Sequence, residues 1–259
     1  MGKKALAIIS FGTTYPQARE AIVCIENRLR QAFPEYDFYR TFTSGMVIRK
    51  IEREENIKIP NPAELMEQLA AEGYEEVLCQ SLHVIPGVEY EKMLGQLASY
   101  RDRFACLRIG RPMLFEASDY EAICKSLLDQ IGVLDEDAAY VYMGHGTTHF
   151  ANAAYSQVEN MFRSLGAEHV YVGTVEGFPD LAYVESRLLK RGIKRVTLAP
   201  FMIVAGDHAQ NDLAGDEDSW KTALKSAGYA VQTELCGLGE LDAVGELFVA
   251  HCAQAEKIE

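Results

Sequence analysis

Three residues of the 259-residue chain combine a reactive side chain with an exposed setting: His145 in "YMGHGTTHF", Glu176 in "GTVEGFPD" and His208 in "IVAGDHAQND". Two imidazoles and a carboxylate form a borderline ligand set that suits divalent cobalt, iron, nickel or zinc, and three protein ligands leave coordination positions open for chemistry. Neutral imidazole is also a base, because its reference pKa of about 6.5 leaves it mostly deprotonated at pH 7. The neighbouring Gly144, Gly146, Gly177 and Gly206 let the backbone turn sharply and let a bulky ligand approach. Taken singly, a histidine at a strand end is more often a hydrogen-bonded structural residue, Glu176 is a solvated loop acid and His208 is the neighbour of a capping Asp207. Their placement after three consecutive strands is what favours a metal site.

Those strands are legible as short apolar runs. "KALAIIS" (4–10), "YDFYRTF" (36–42), "EEVLCQSL" (75–82) and "ACLRIG" (105–110) alternate with helical patterns, among them "NPAELMEQLAAEGY" with an Asn cap and Pro at its first position. Ser44 reads as a further helix cap. "AAYVYMG", "EHVYVGT", "KRVTLAPF" and "YAVQTEL" repeat the order, with helices near 150–165, 179–191, 217–227 and 239–256. Such alternation implies parallel sheets with helices on both faces. Ser10-Phe-Gly-Thr-Thr14 matches Gly144-His-Gly-Thr-Thr148, and the stretch from Glu75 lies over that from Lys194. The chain therefore reads as a duplicated four-stranded, Rossmann-like (flavodoxin-like) α/β unit, with domains at 1–133 and 134–259 and the last helix free to pack on the first domain. In this overlay Phe11 faces His145, Ser44 faces Glu176 and Glu89 faces His208. Ligands of such sheets bind beyond the carboxyl ends of the strands, which puts all three candidate ligands at one edge.

Composition narrows the partners. A net charge of -13 disfavours nucleic acid and anionic membranes, and the N-terminal apolar run of five residues before Ser10 is too short for a signal peptide. The six scattered cysteines form no C-x-x-C pair and read as reduced thiols, so a cytoplasmic protein is expected. Oligomerisation stays open. Thr13, Thr14 and Pro16 fit a helix start, His149, His169 and His251 fit helix-face or surface positions, and His83 at the end of the third strand fits a site or a buried structural slot equally well. Arg40, Arg49 and Lys50 are local cations, the last two on a solvated face. Asp207, Asp212, Asp216 and Asp218 form an acidic cluster that is either solvated or an entry path for cations. The sequence has neither G-x-G-x-x-G nor a Walker loop. "GHGTT" is only faintly like the histidine-phosphatase motif, with Gly144 where the phosphate-clamping arginine belongs, and the ligands of a two-metal phosphatase are missing.

"ALAIISFGTTY", "RTFTSGMVIRKI", "QSLHVIPGVEYEK", "YMGHGTTHFANAAY", "VEGFP" and "MIVAGDHAQNDLAGDEDSW" together resemble the anaerobic sirohydrochlorin cobaltochelatases, class II tetrapyrrole chelatases with a ferrochelatase-like fold, over nearly the whole chain. The resemblance implies ATP-independent insertion of cobalt(II), a substrate metal, into sirohydrochlorin or precorrin-2 for cobalamin synthesis, without a prosthetic group. It makes His145 and His208 the catalytic histidines and Glu176 the third ligand. On this reading His145 is metal ligand and proton acceptor, with His208 as base the alternative. Phe11, Thr13, Ser44, His83 and Glu89 are expected to contact the macrocycle; the aromatic, glycine-lined turns at Phe11 and Phe178 suit a flat ligand or a core equally. An iron or nickel chelatase on the same macrocycle, or a non-catalytic metal carrier, is the competing expectation.

Overall fold

The structure is a computed structural model describing residues 2–258. Packing divides it into two compact units: residues up to Phe115 together with those from Gly239 onward, and Glu116–Leu238.

The first unit is built from β1 (Lys3–Ser10), α1 (Pro16–Ala32), β2 (Asp37–Phe42), α2 (Gly45–Glu55), α3 (Pro62–Ala71), β3 (Tyr74–Ser81), α4 (Val88–Ala98) and β4 (Cys106–Gly110). From Ala5 to Ser10 β1 is wholly buried, as a central parallel strand covered on both faces must be. Helix α1 starts at Pro16, which has no N–H to leave unsatisfied, and buries Ala21, Ile22, Ile25 and Leu29 along one face. At α3 a capping box closes the entry: Asn61 Oδ1 accepts from Glu64 N (3.0 Å) and the Glu64 carboxylate accepts from Asn61 N (2.9 Å).

The second unit comprises α5 (Ala117–Ile131), β5 (Ala138–Gly144), α6 (Ala153–Ser164), β6 (Val170–Thr174), α7 (Leu181–Lys190), β7 (Arg195–Pro200), α8 (Trp220–Ser226) and β8 (Ala230–Thr233). Its strands are parallel in the order β6-β5-β7-β8, over a core that includes Val141, Tyr171, Val184, Leu198 and Leu213. The chain then returns to the first unit as α9 (Asp242–Ala253) and β9 (Glu256–Lys257).

Two features depart from the sequence expectation. The unit boundary falls after Phe115 rather than after residue 133, because α5 packs against α6 of the second unit. The first sheet has five strands, β2-β1-β3-β4-β9, with the two-residue β9 antiparallel to β4. The four parallel strands anticipated in each half are all present.

Strand order places the site. In the second sheet β6 lies on one side of β5 and β7 on the other, so the connections leaving β5 and β7 diverge and open a crevice between their carboxyl ends. The edge strand β6 is secured by a buried carboxylate: Glu159 accepts from Val172 N (2.9 Å) and pairs with Arg163 and Arg187. One of the edge strand's outward N–H groups is thereby satisfied.

Candidate active site

The His145 turn is shaped by what its glycines allow. Gly144 ends β5 against Tyr155, whose Cε1 would lie 2.2 Å from a Cβ there. Gly146 has φ +83°, and a Cβ would meet Thr174 Cβ at 2.8 Å and Gly177 N at 2.9 Å. Glycine alone fits both the backbone conformation and the space. Tyr155 supports the turn from below: burial pushes its phenol up to about 12, while hydrogen bonds from the Gly146 and His145 backbone to it act in the opposite sense.

The turn is also stitched to the loop that carries Glu176. Val175 N donates to Gly144 O (3.1 Å) and Glu176 N to His145 O (2.8 Å), continuing the β5–β6 ladder past the strands. Asn152 completes the clamp, its Oδ1 accepting from Thr147 N (2.9 Å) and its Nδ2 donating to Phe178 O (2.6 Å).

His145 and His208 meet across the crevice with ring centroids 4.5 Å apart and planes 85° to each other. His145 Nδ1 lies 2.8 Å from Gly146 O, and His208 Nδ1 lies 2.8 Å from Asp212 Oδ2. A carbonyl and a carboxylate only accept, so both Nδ1 atoms carry the hydrogen, and in the neutral form of each ring Nε2 presents a lone pair. The side chains of His145 and His208 are 45% and 32% exposed, open enough for a ligand to reach them. A metal would need those nitrogens about 2.0–2.1 Å away.

Glu176 joins from the β6 side, with Oε2 3.9 Å from His145 Nδ1. That places the carboxylate beside the occupied nitrogen rather than beside Nε2. Among the described residues no group of three or more His, Cys, Asp and Glu is already arranged around an ion position. Bringing Glu176 onto the ion that Nε2 would hold requires a side-chain rotation, open to a carboxylate that is 59% exposed.

In the first unit the corresponding positions repeat the backbone design without its candidate ligands. Thr43 N donates to Ser10 O (2.8 Å) and Ser44 N to Phe11 O (3.3 Å), the bonds that Val175 and Glu176 make to Gly144 and His145. Gly12 has φ +88° where Gly146 has +83°. Leu82 N bonds Ile9 O as Phe201 N bonds Met143 O, both at 2.8 Å. The chemistry has diverged: Phe11 occupies the place of His145, and Ser44 that of Glu176. Ser44 is buried and accepts from Val47 N as the cap of α2. Thr13 is buried too, accepting from Tyr15 N through its hydroxyl and from Arg19 through its carbonyl.

His83 turns inward. Its Nδ1 meets Ser81 Oγ (2.8 Å), its ring lies edge-on to Tyr90, and burial lowers its pKa to about 4. Phe11 is exposed, and Glu89 is part-exposed in the first turn of α4. Sequence reasoning passed over Asn152, Tyr155 and the contact of Asp212 with His208. The asparagine three residues after the motif histidine His149, at a helix start, was the available signal for the first.

Residues 4–257 match the family described as cobalt chelatase (CbiK). A sirohydrochlorin cobaltochelatase from Salmonella typhimurium is 41% identical over 255 residues, 98% of this chain and 96% of that protein. The sirohydrochlorin cobaltochelatase CbiKC of Nitratidesulfovibrio vulgaris is 30% identical, covering 98% of this chain and 91% of its own. Among solved structures, SirB from Bacillus subtilis with Fe3+ shares the fold with a TM-score of 0.67 at 15% identity, over 97% of this chain and 95% of that one.

Proposed function

The chain belongs to the cobalt chelatase (CbiK) family, and from that premise we propose that it inserts cobalt(II) into sirohydrochlorin through the paired histidines at the β5–β7 crevice. The observation that carries the assignment to this site is the approach of the His145 and His208 rings to 4.5 Å.

Insertion exchanges two pyrrolic protons for one divalent ion, so charge balances when both protons leave. A site for this reaction needs lone pairs that hold the ion and then, once it has passed to the macrocycle, accept protons. The outward Nε2 atoms of His145 and His208 serve both ends, and Glu176 supplies the third ligand after rotating toward them. His145 is the proton acceptor in this reading. Formation of four metal–nitrogen bonds drives the exchange without ATP, in keeping with a sequence that has no nucleotide-phosphate loop. The negative loop around His208, with Asp207, Asp212, Asp216 and Asp218, favours arrival of a cation. Six free cysteines support a reducing, cytoplasmic setting.

Anaerobic visible spectroscopy of sirohydrochlorin with cobalt(II) tests the reading. Wild type accelerates the change to the metallated spectrum, and His145→Ala and His208→Ala each lose most of that acceleration, on the order of the 10²–10⁴-fold associated with a positioned proton acceptor. Wild type that binds cobalt but leaves the uncatalysed rate unchanged is a metal carrier and not a chelatase.

A further inference from the structure

Beyond the three candidate ligands, we infer that Asp212 is a positioning residue that fixes His208 in the tautomer whose Nε2 faces a metal. The inference rests on the proposed role of His208. Asp212 Oδ2 sits 2.8 Å from His208 Nδ1, one turn further along the chain. A free neutral imidazole favours hydrogen on Nε2, the tautomer that would turn a donor toward an incoming cation. The carboxylate reverses that preference, because only Nδ1–H can bond to it.

The backbone around Asp212 is built to hold it there. Ala209–Leu213 forms a π-helical turn, closed by Ala214 N bonding Ala209 O at 3.2 Å. Such turns are rare and concentrate at functional sites. Ala209 and Leu213 are fully buried, so the turn is anchored on both sides of the residue that faces the ring. Asp207, the nearer acid in sequence, instead accepts from Asn211 Nδ2 (3.0 Å). On the other ring the Nδ1 hydrogen bond goes to a backbone carbonyl: His145 Nδ1 lies 2.8 Å from Gly146 O, with the Glu176 carboxylate farther off at 3.9 Å. The two histidines are therefore oriented by different devices, one of which a single side-chain change removes.

Two measurements test this on the full-length protein. Long-range ¹H–¹⁵N correlation of the imidazoles, without metal, shows an unprotonated Nε2 for His208 in wild type and a shift toward the Nε2–H tautomer in Asp212→Ala, with the His145 signals unchanged. Titration with cobalt(II) alone then shows Kd raised about 10- to 100-fold in Asp212→Ala, the usual effect of losing a partner behind a metal-ligating histidine. Asp212→Asn, whose amide oxygen still accepts from Nδ1, stays within a few-fold of wild type. An Asp212→Ala variant with wild-type tautomer and cobalt affinity overturns the inference, as does an Asp212→Asn variant as weak as Asp212→Ala. His208→Ala that binds cobalt like wild type overturns instead the reading of His208 as a ligand.

Discussion

Gly146 shows at the residue scale how tightly the His145 turn is specified. Its φ of +83° and the 2.8–3.0 Å approach of Thr174 and the Glu176–Gly177 backbone leave no room for a methyl group. Gly146→Ala is expected to cost about 1–3 kcal/mol in urea unfolding and to slow metallation, because His145 moves with the strained backbone. His83 gives a second prediction, with a definite sign. Burial lowers its pKa from 6.5 to about 4. Between those values the unfolded chain binds a proton that the folded one refuses, so stability falls as pH drops from about 6.5 to 4, by on the order of 3 kcal/mol for this group. Unfolding at pH 7 and pH 5 checks it: His83→Asn loses less stability than wild type over that interval. The glycines and histidines were legible in sequence because type and spacing announce them. The inward rotation of His83 was not, since Tyr90 meets its ring only once β3 and α4 are packed.

Among the elements, the decisive join is between the loops after β5 and β6. Strands ending in glycine were readable, and the overlay that paired Phe11 with His145 and Ser44 with Glu176 reappears as matched backbone hydrogen bonds. Asn152 was unreadable as a clamp because one of its partners, the Phe178 carbonyl, lies 26 residues away. Asn152→Ala removes both bonds and leaves Thr147 N and Phe178 O to find water. The expected result is about 1–3 kcal/mol lower stability by urea denaturation and a slower metallation rate, with the secondary structure unchanged by circular dichroism. The boundary near residue 133 was misplaced for a similar reason. An acidic, turn-forming stretch marks a loop, but which neighbour α5 covers depends on its fit to α6.

Two properties of the whole molecule have measurable effects. Its net charge of -13 draws cations from a distance, so the rate of cobalt(II) capture measured by stopped flow is expected to fall as ionic strength rises. The duplication was visible from the ends of the chain inward, whereas the packing of the last helix on the first domain could be named from sequence only as an open option, because it depends on the fit of α9 to α1. Helix α9 packs on α1 and places Val244, Phe248 and Cys252 fully inside the first unit. Phe248→Ala is expected to cost that unit about 3–5 kcal/mol. Hydrogen exchange should show lost protection in β1, β3 and β4, with β5–β8 unaffected.

This return of the chain also bears on synthesis. A ribosome delivers every residue of the second unit before it delivers α9, and domains generally fold as units while they emerge. The second unit, an uninterrupted segment, is complete while the first still lacks the helix that closes it. The nascent protein thus completes the half that carries His145 and His208 first, and the half made earlier waits for α9.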